Sequence, residues 1–262
     1  MVQFQLKRIL KIDLNLYNIE LNEKRFNRVL FIIPGLSLKS FGKSLDVISK
    51  NLIKIKESFD QIYILEYSSF TVLQTAVCNT RDLIIENLGN KYANYPKKES
   101  RFKKFNKIYY PELVFNKRIA SLSNEIINFL CLKNVFLLGK SNGAWISKLI
   151  LEITNNDNDI YNGLYLSTPA IPDGVRKLNI NEKRLKKLIF RFFFIKQDGY
   201  KFRFYGKSNE EKAKYDKQMK EISSTINYQS IEYDNGEIED KDLGSYHELD
   251  PKIFDDINKS LH

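Results

Sequence analysis

A serine between two glycines, one internal histidine and a few aspartates are the residues of this chain whose types could do chemistry together. The serine is Ser141, in Gly139-Lys140-Ser141-Asn142-Gly143. The apolar run Val135 to Leu138 precedes it, and Ala144, Ile146, Leu149 and Ile150 follow at helical spacing. Strand, sharp turn and helix, with serine at the apex, is the G-x-S-x-G layout of a nucleophile elbow. A side chain at either glycine would collide with the neighbouring strand or helix. The same five residues also suit an ordinary strand-to-helix turn, so the surroundings must decide.

Acyl transfer by serine needs a general base, a group that orients it, and backbone donors for the oxyanion. The chain has two histidines, and His262 is its final residue, where ends fray. That leaves His247 as the base. It follows the last expected strand and precedes a closing helix, which lets it reach the sheet edge that carries Ser141. The orienting acid should lie in a loop after a strand between Ser141 and His247. Asp198 fits, after the apolar run Leu188 to Ile195 and before Gly199. Asp173 is the alternative, and an ordinary Asp-Gly turn is the bland reading of Asp198. The backbone N–H of Asn142, next to the nucleophile, is the first oxyanion donor. The second should come from the loop after Val29 to Ile33, where Pro34-Gly35 ends the strand; Leu36 is the choice and Ser37 the alternative.

The elements that would hold these groups alternate along the chain. Residues 2 to 18 read as two short strands in an edge hairpin. Val29 to Ile33 is an unbroken apolar run, as in a parallel strand buried on both faces. Leu45, Ile48, Leu52, Ile55 and Phe59 predict a helix over 43–58, and Ile62 to Tyr67 the next strand. Thr71 to Leu88 reads as helical. Residues 90–116 carry a basic and aromatic stretch with no clear period, an insertion. A helix is expected from about Lys117 to Phe129, with Ile119, Leu122, Ile126 and Leu130 on one face. After the elbow come strands at 160–169, 188–195 and 229–236, a charged helix at 208–223 and a helix at 251–261. This alternation implies one doubly wound, mostly parallel α/β sheet with an N-terminal antiparallel hairpin, in a single domain over 1–262.

Composition excludes several classes. At 43% hydrophobic, the 262 residues can bury a full core. Two cysteines, Cys78 and Cys131 (the latter in an apolar run), make neither a disulfide framework nor a metal-ligand spacing, which favours a reducing, cytoplasmic setting. The N-terminus is too often broken by charge for a signal peptide, and no apolar run approaches the ~20 residues of a membrane helix. No cofactor or metal is expected. The net charge of +10 goes with Lys, Asn and Ile enrichment throughout and with no recognised nucleic-acid module. The insertion could be a lid or a docking surface for an anionic carrier or surface, or simply a solvated loop tacked down by its aromatics.

Together, the strand-Pro-Gly at 29–35, the elbow at 139–143, Leu166-Ser-Thr-Pro169, Asp198 and His247 resemble the α/β-hydrolase family, in its Ser, Asp, His order. The resemblance runs from Val29 to the C-terminus. It implies a serine hydrolase cleaving a carboxylic ester or thioester, with Ser141 as nucleophile, His247 as base and Asp198 as its partner. Two other readings stand beside it. One is a non-catalytic binding protein of the same fold. The other is a basic surface protein that holds an anionic partner through residues 91–107.

Overall fold

In the computed structural model, residues 2–9, 12–23, 25–35, 38–67, 110–154, 160–169, 178–195, 227–233 and 249–262 are described. The strands are β1 (Val2–Ile9), β2 (Ile12–Glu20), β3 (Val29–Ile33), β4 (Gln61–Tyr67), β5 (Val135–Lys140), β6 (Tyr161–Ser167), β7 (Ile189–Ile195) and β8 (Asn227–Tyr233). They form one sheet in the order β1-β2-β4-β3-β5-β6-β7-β8. β1 pairs with β2, and β2 with β4, in antiparallel fashion; every other pairing is parallel. The expected hairpin and the mostly parallel sheet are both present.

β3 and β5 are buried along their whole lengths because the sheet is covered on both sides. Their side chains alternate between two cores. Val29, Phe31, Ile33, Val135 and Leu137 join one, with residues of α3 (Tyr110–Phe129) and α4 (Asn142–Ile153). Leu30, Ile32, Phe136 and Leu138 join the other, with residues of α1 (Leu38–Lys50), α2 (Leu52–Lys56) and α6 (Lys252–Leu261). A strand apolar at every position therefore serves both layers, which is why these runs show no alternation.

The second core contains an aromatic ladder. Phe59 meets Phe136 edge-on at 5.5 Å between centroids, and Phe136, Tyr165, Phe193 and Tyr233 follow at 6.2 Å each, stacked across β5, β6, β7 and β8. Two phenols of the ladder hold α6. Tyr233 donates to Asp256 Oδ2 at 2.6 Å, and the Tyr165 hydroxyl lies 3.0 Å from Ser260 Oγ. From α2, Lys54 pairs with Asp255 at 2.8 Å, and the Lys54 carbonyl accepts from Asn258 Nδ2 at 2.8 Å.

The helices depart from expectation in three places. The helix expected over 43–58 is two, because the Asn51 N–H bonds to Ile48 O, three residues back, and the backbone leaves α geometry there. α3 starts at Tyr110 rather than near Lys117, so residues 110–116, assigned to the insertion, are helical. Pro111 suits a first turn, where its missing N–H costs nothing. One turn of helix, α5 (Glu182–Leu185), lies between β6 and β7, where no helix was expected, capped by Asn181 Oδ1 accepting from Arg184 N at 2.8 Å. Cys131 is exposed despite its apolar neighbours. It takes φ 51° just past α3, where Leu132 N bonds to Ile127 O and Cys131 N to Asn128 O, a Schellman cap. The helices expected at 71–88 and 208–223, and residues 90–109 of the insertion, lie outside the described residues. Among the described residues, no helix is long and apolar enough to cross a membrane.

Candidate active site

Ser141 stands between β5 and α4 with φ 55° and ψ −119°. L-residues rarely hold that conformation, and a bystander serine at a helix start would sit in the extended region. An ordinary N-cap serine also spends its hydroxyl on the helix's own N–H groups; Ser141 makes no such capping bond. The turn is held by its backbone instead. Ser141 N donates to Ser167 O at 3.0 Å, and Ser141 O accepts from Ala144 N at 3.1 Å.

Both flanking glycines are demanded by close approach. A Cβ at Gly143 would overlap the carbonyl oxygen of Ile33 and lie 2.5 Å from that of Pro34. A Cβ at Gly139 would overlap the Gly143 carbonyl oxygen and lie 2.5 Å from both Ala144 Cα and Ser147 Oγ. The elbow is therefore packed directly on the end of β3, where the parallel register pairs Ile33 with Gly139. Asn142 opens α4, and the first N–H groups of a helix have no carbonyl partner within it, so they favour negative charge nearby.

Beneath the elbow lies a buried polar network. Asn116 of α3 and Asn142 of α4 exchange amide bonds, Asn116 Nδ2 to Asn142 Oδ1 at 2.9 Å and Asn142 Nδ2 to Asn116 Oδ1 at 3.0 Å. Asn142 Nδ2 also donates to the Tyr67 hydroxyl at 3.3 Å, and Tyr67 donates to Pro34 O at 2.9 Å. All four residues are buried. Tyr67 and Asn116 escaped the reading of the sequence, although Asn116 carried a signal. It lies three and four residues before the buried Ile119 and Ala120, on the apolar face of the helix, and a polar residue in such a stripe needs a partner.

Two lysines near the elbow are also buried. Lys140 ends β5, and Lys148 lies two turns into α4. Burial pushes the Lys148 ammonium below the usual lysine range, and its ion pair with Glu152 at 2.6 Å pulls the other way. Glu152 Oε1 also accepts from Asn179 N at 2.8 Å, which ties the segment after β6 to the elbow helix.

Of the residues expected to form the site, Ser141 and Asn142 are adjacent at the elbow. Leu36, Ser37, Asp173, Asp198 and His247 lie outside the described residues. Among the described residues, no group of His, Cys, Asp or Glu could hold a metal ion.

No protein-family model matches the chain, and no curated protein matches it in sequence. Solved structures match along its whole length. A serine hydrolase homologue from Coxiella burnetii aligns with a TM-score of 0.51 at 11% identity, over 99% of this chain and 95% of that one. A propionate-bound esterase from Thermogutta terrifontis aligns at 0.50 and 11%, over 99% and 93%. A fungal esterase from Rhizomucor miehei aligns at 0.50 and 11%, over 99% and 81%. At such identities the likeness carries the fold, which fits the strand order and the elbow described above. The chain has the α/β-hydrolase fold, with Ser141 at the turn between its fifth strand and the helix that follows.

Proposed function

We propose that this protein is a serine hydrolase that cleaves a carboxylic ester or thioester through an acyl-enzyme on Ser141, its 262 residues acting as one domain. The observation that carries the reading is the backbone at Ser141, held at φ 55° and ψ −119° by two glycines that admit no side chain. Backbone strain of this kind clusters at active sites and ligand clamps. Helix start, sheet edge and fold all agree with that reading.

In the proposed reaction, His247 takes the proton of the Ser141 hydroxyl as Oγ bonds to the substrate carbonyl carbon. The carbonyl π electrons move to oxygen, where the Asn142 and Leu36 N–H groups receive the charge. Each such donor is worth about 3 kcal/mol of transition-state stabilisation. The C–O or C–S bond then breaks, and His247 passes its proton to the leaving alcohol or thiol. Water, deprotonated by the same imidazole, releases the acid and restores Ser141. Asp198 holds the imidazole in the required tautomer. The scheme calls for no metal or cofactor, and the scarcity of cysteine fits a reducing cytoplasm.

A fluorophosphonate probe tests this. Wild-type protein should be labelled on Ser141, and Ser141→Ala should not be. Folded wild-type protein that stays unlabelled would sink the hydrolase reading and leave a binding protein of the same fold. A series of p-nitrophenyl esters from acetate to octanoate then measures acyl length.

A further inference from the structure

The network of Tyr67, Asn116, Asn142 and Pro34 joins four separate elements: the ends of β3 and β4, the first turns of α3, and the start of α4. Its direction is forced. A carbonyl can only accept, so the single proton of Tyr67 goes to Pro34 O. The Tyr67 oxygen must then accept, so Asn142 presents its NH2 group. The second proton of that group meets Asn116 Oδ1, and Asn142 Oδ1 is left to accept from Asn116. Asn116 is fully buried and Asn142 is 2% exposed, so each bond that fails leaves a polar atom without water.

The Pro34 carbonyl belongs to the peptide that leads out of β3. Fixing that oxygen fixes the peptide plane, and a trans peptide points the Gly35 N–H the opposite way. The same turn is pressed onto the elbow at Gly143. One side of the turn is thus set by contact with the nucleophile's own helix, and the other by a phenol that reads the position of that helix through Asn142.

We propose that Tyr67 and Asn116 are positioning residues, which set the Pro34–Gly35 turn against the elbow and so hold Asn142, whose N–H is the oxyanion donor beside the nucleophile, in place. This rests on the hydrolase reading above. Neither side chain touches substrate in this scheme. Both act through Pro34 and Asn142, so their loss should be felt where negative charge develops rather than where substrate first binds.

The test uses full-length Tyr67→Phe and Asn116→Asp with p-nitrophenyl acetate as substrate and phenylboronic acid as a probe that forms an anionic tetrahedral adduct on serine. Both substitutions nearly keep volume: Tyr67→Phe removes the hydroxyl that donates to Pro34 O and accepts from Asn142, and Asn116→Asp replaces the NH2 that donates to Asn142 Oδ1 with an oxygen. In each variant kcat should fall about 10- to 100-fold, with KM within about threefold of wild type. Phenylboronic acid should bind about as much more weakly as kcat falls. If wild-type protein fails to label with the fluorophosphonate, the hydrolase reading is lost and this inference with it. If wild type is active and both variants keep its kcat, the inference alone is overturned. A raised KM at unchanged kcat overturns it too, because the network would then shape substrate binding. Circular dichroism and urea midpoints identify a variant that fails to fold, in which case the other decides.

Discussion

Ser141 is under strain that any residue with a Cβ would share, at a cost on the order of 1–3 kcal/mol. Glycine would be released from it. Ser141→Gly is therefore expected to be more stable than Ser141→Ala by about 1 kcal/mol, after the greater flexibility of glycine in the unfolded chain is allowed for. Urea unfolding reads the difference as a higher midpoint at the same slope, and both variants should lose the covalent label. Equal midpoints would mean that the turn relaxes around alanine and stores nothing. At this scale the sequence was informative where the cause is local. Gly139 and Gly143 flank their serine within the motif, and the structure supplies the atoms they avoid, Ile33 O and Ser147 Oγ among them. The partners of Tyr67 and Asn116 were not legible, because they lie 33 and 26 residues away, although a polar Asn116 in an apolar stripe signalled that one was needed.

The elements were legible wherever packing enforces a period. β3, β5, β6 and β7 were placed to within a residue or two, since each is mostly apolar and largely buried between two layers of helix. Helix ends were harder. Pro111 lacks a backbone donor and Asn51 bonds three residues back, and the effect of each depends on the turn it occupies. The aromatic ladder supplies a test at this scale. Gly163 lies in β6 beside the ring of Phe136, and a Cβ there would come within 3.0 Å of Phe136 Cε1 and closer still to Cδ1. Gly163→Ala must move that ring, and with it the stacked Tyr165 that holds Ser260 of α6. A loss of about 1–3 kcal/mol is expected. Thermal unfolding followed by near-ultraviolet circular dichroism should show both the lower midpoint and the altered aromatic packing; an unchanged spectrum would mean the ladder is looser than it stands.

For the whole molecule, buried phenols set the response to alkali. Burial raises Tyr17 and Tyr165 to about 12, and raises Tyr63, Tyr161 and Tyr233 as well; Glu66 adds to the effect at Tyr17 and Asp256 at Tyr233. Unfolded, each would ionise near 10.0. The folded state thus keeps protons that the unfolded state gives up. The stability tied to these groups is complete below pH 10 and is lost as pH rises toward 12. Lys148 has the opposite sign. Its folded value is lowered, so its burden on the fold eases as pH approaches 10.5. Among the described residues five raised phenols stand against the lowered Lys148, so urea midpoints should fall between pH 10 and 12, and native protein should show less phenolate absorbance than unfolded protein at pH 11. A flat midpoint across that range would contradict the burial described. The fold class was readable at this scale because strand and helix alternate by composition alone. Ser141 was readable from its flanking glycines, whereas Asp198 and His247 lie outside the described residues.

The strand order also sets a schedule. β3 lies between β4 and β5, so one of its edges is closed by the strand that follows it in the chain, and the other waits for Val135. The 67 residues between Tyr67 and Val135 take roughly 3 to 13 s to make at about 5–20 residues per second. For that interval five apolar residues that end fully buried, Val29 to Ile33, present open backbone to any other strand in reach. The sheet centre on which the serine turn comes to rest is thus also the place where a growing chain is most exposed to a wrong partner.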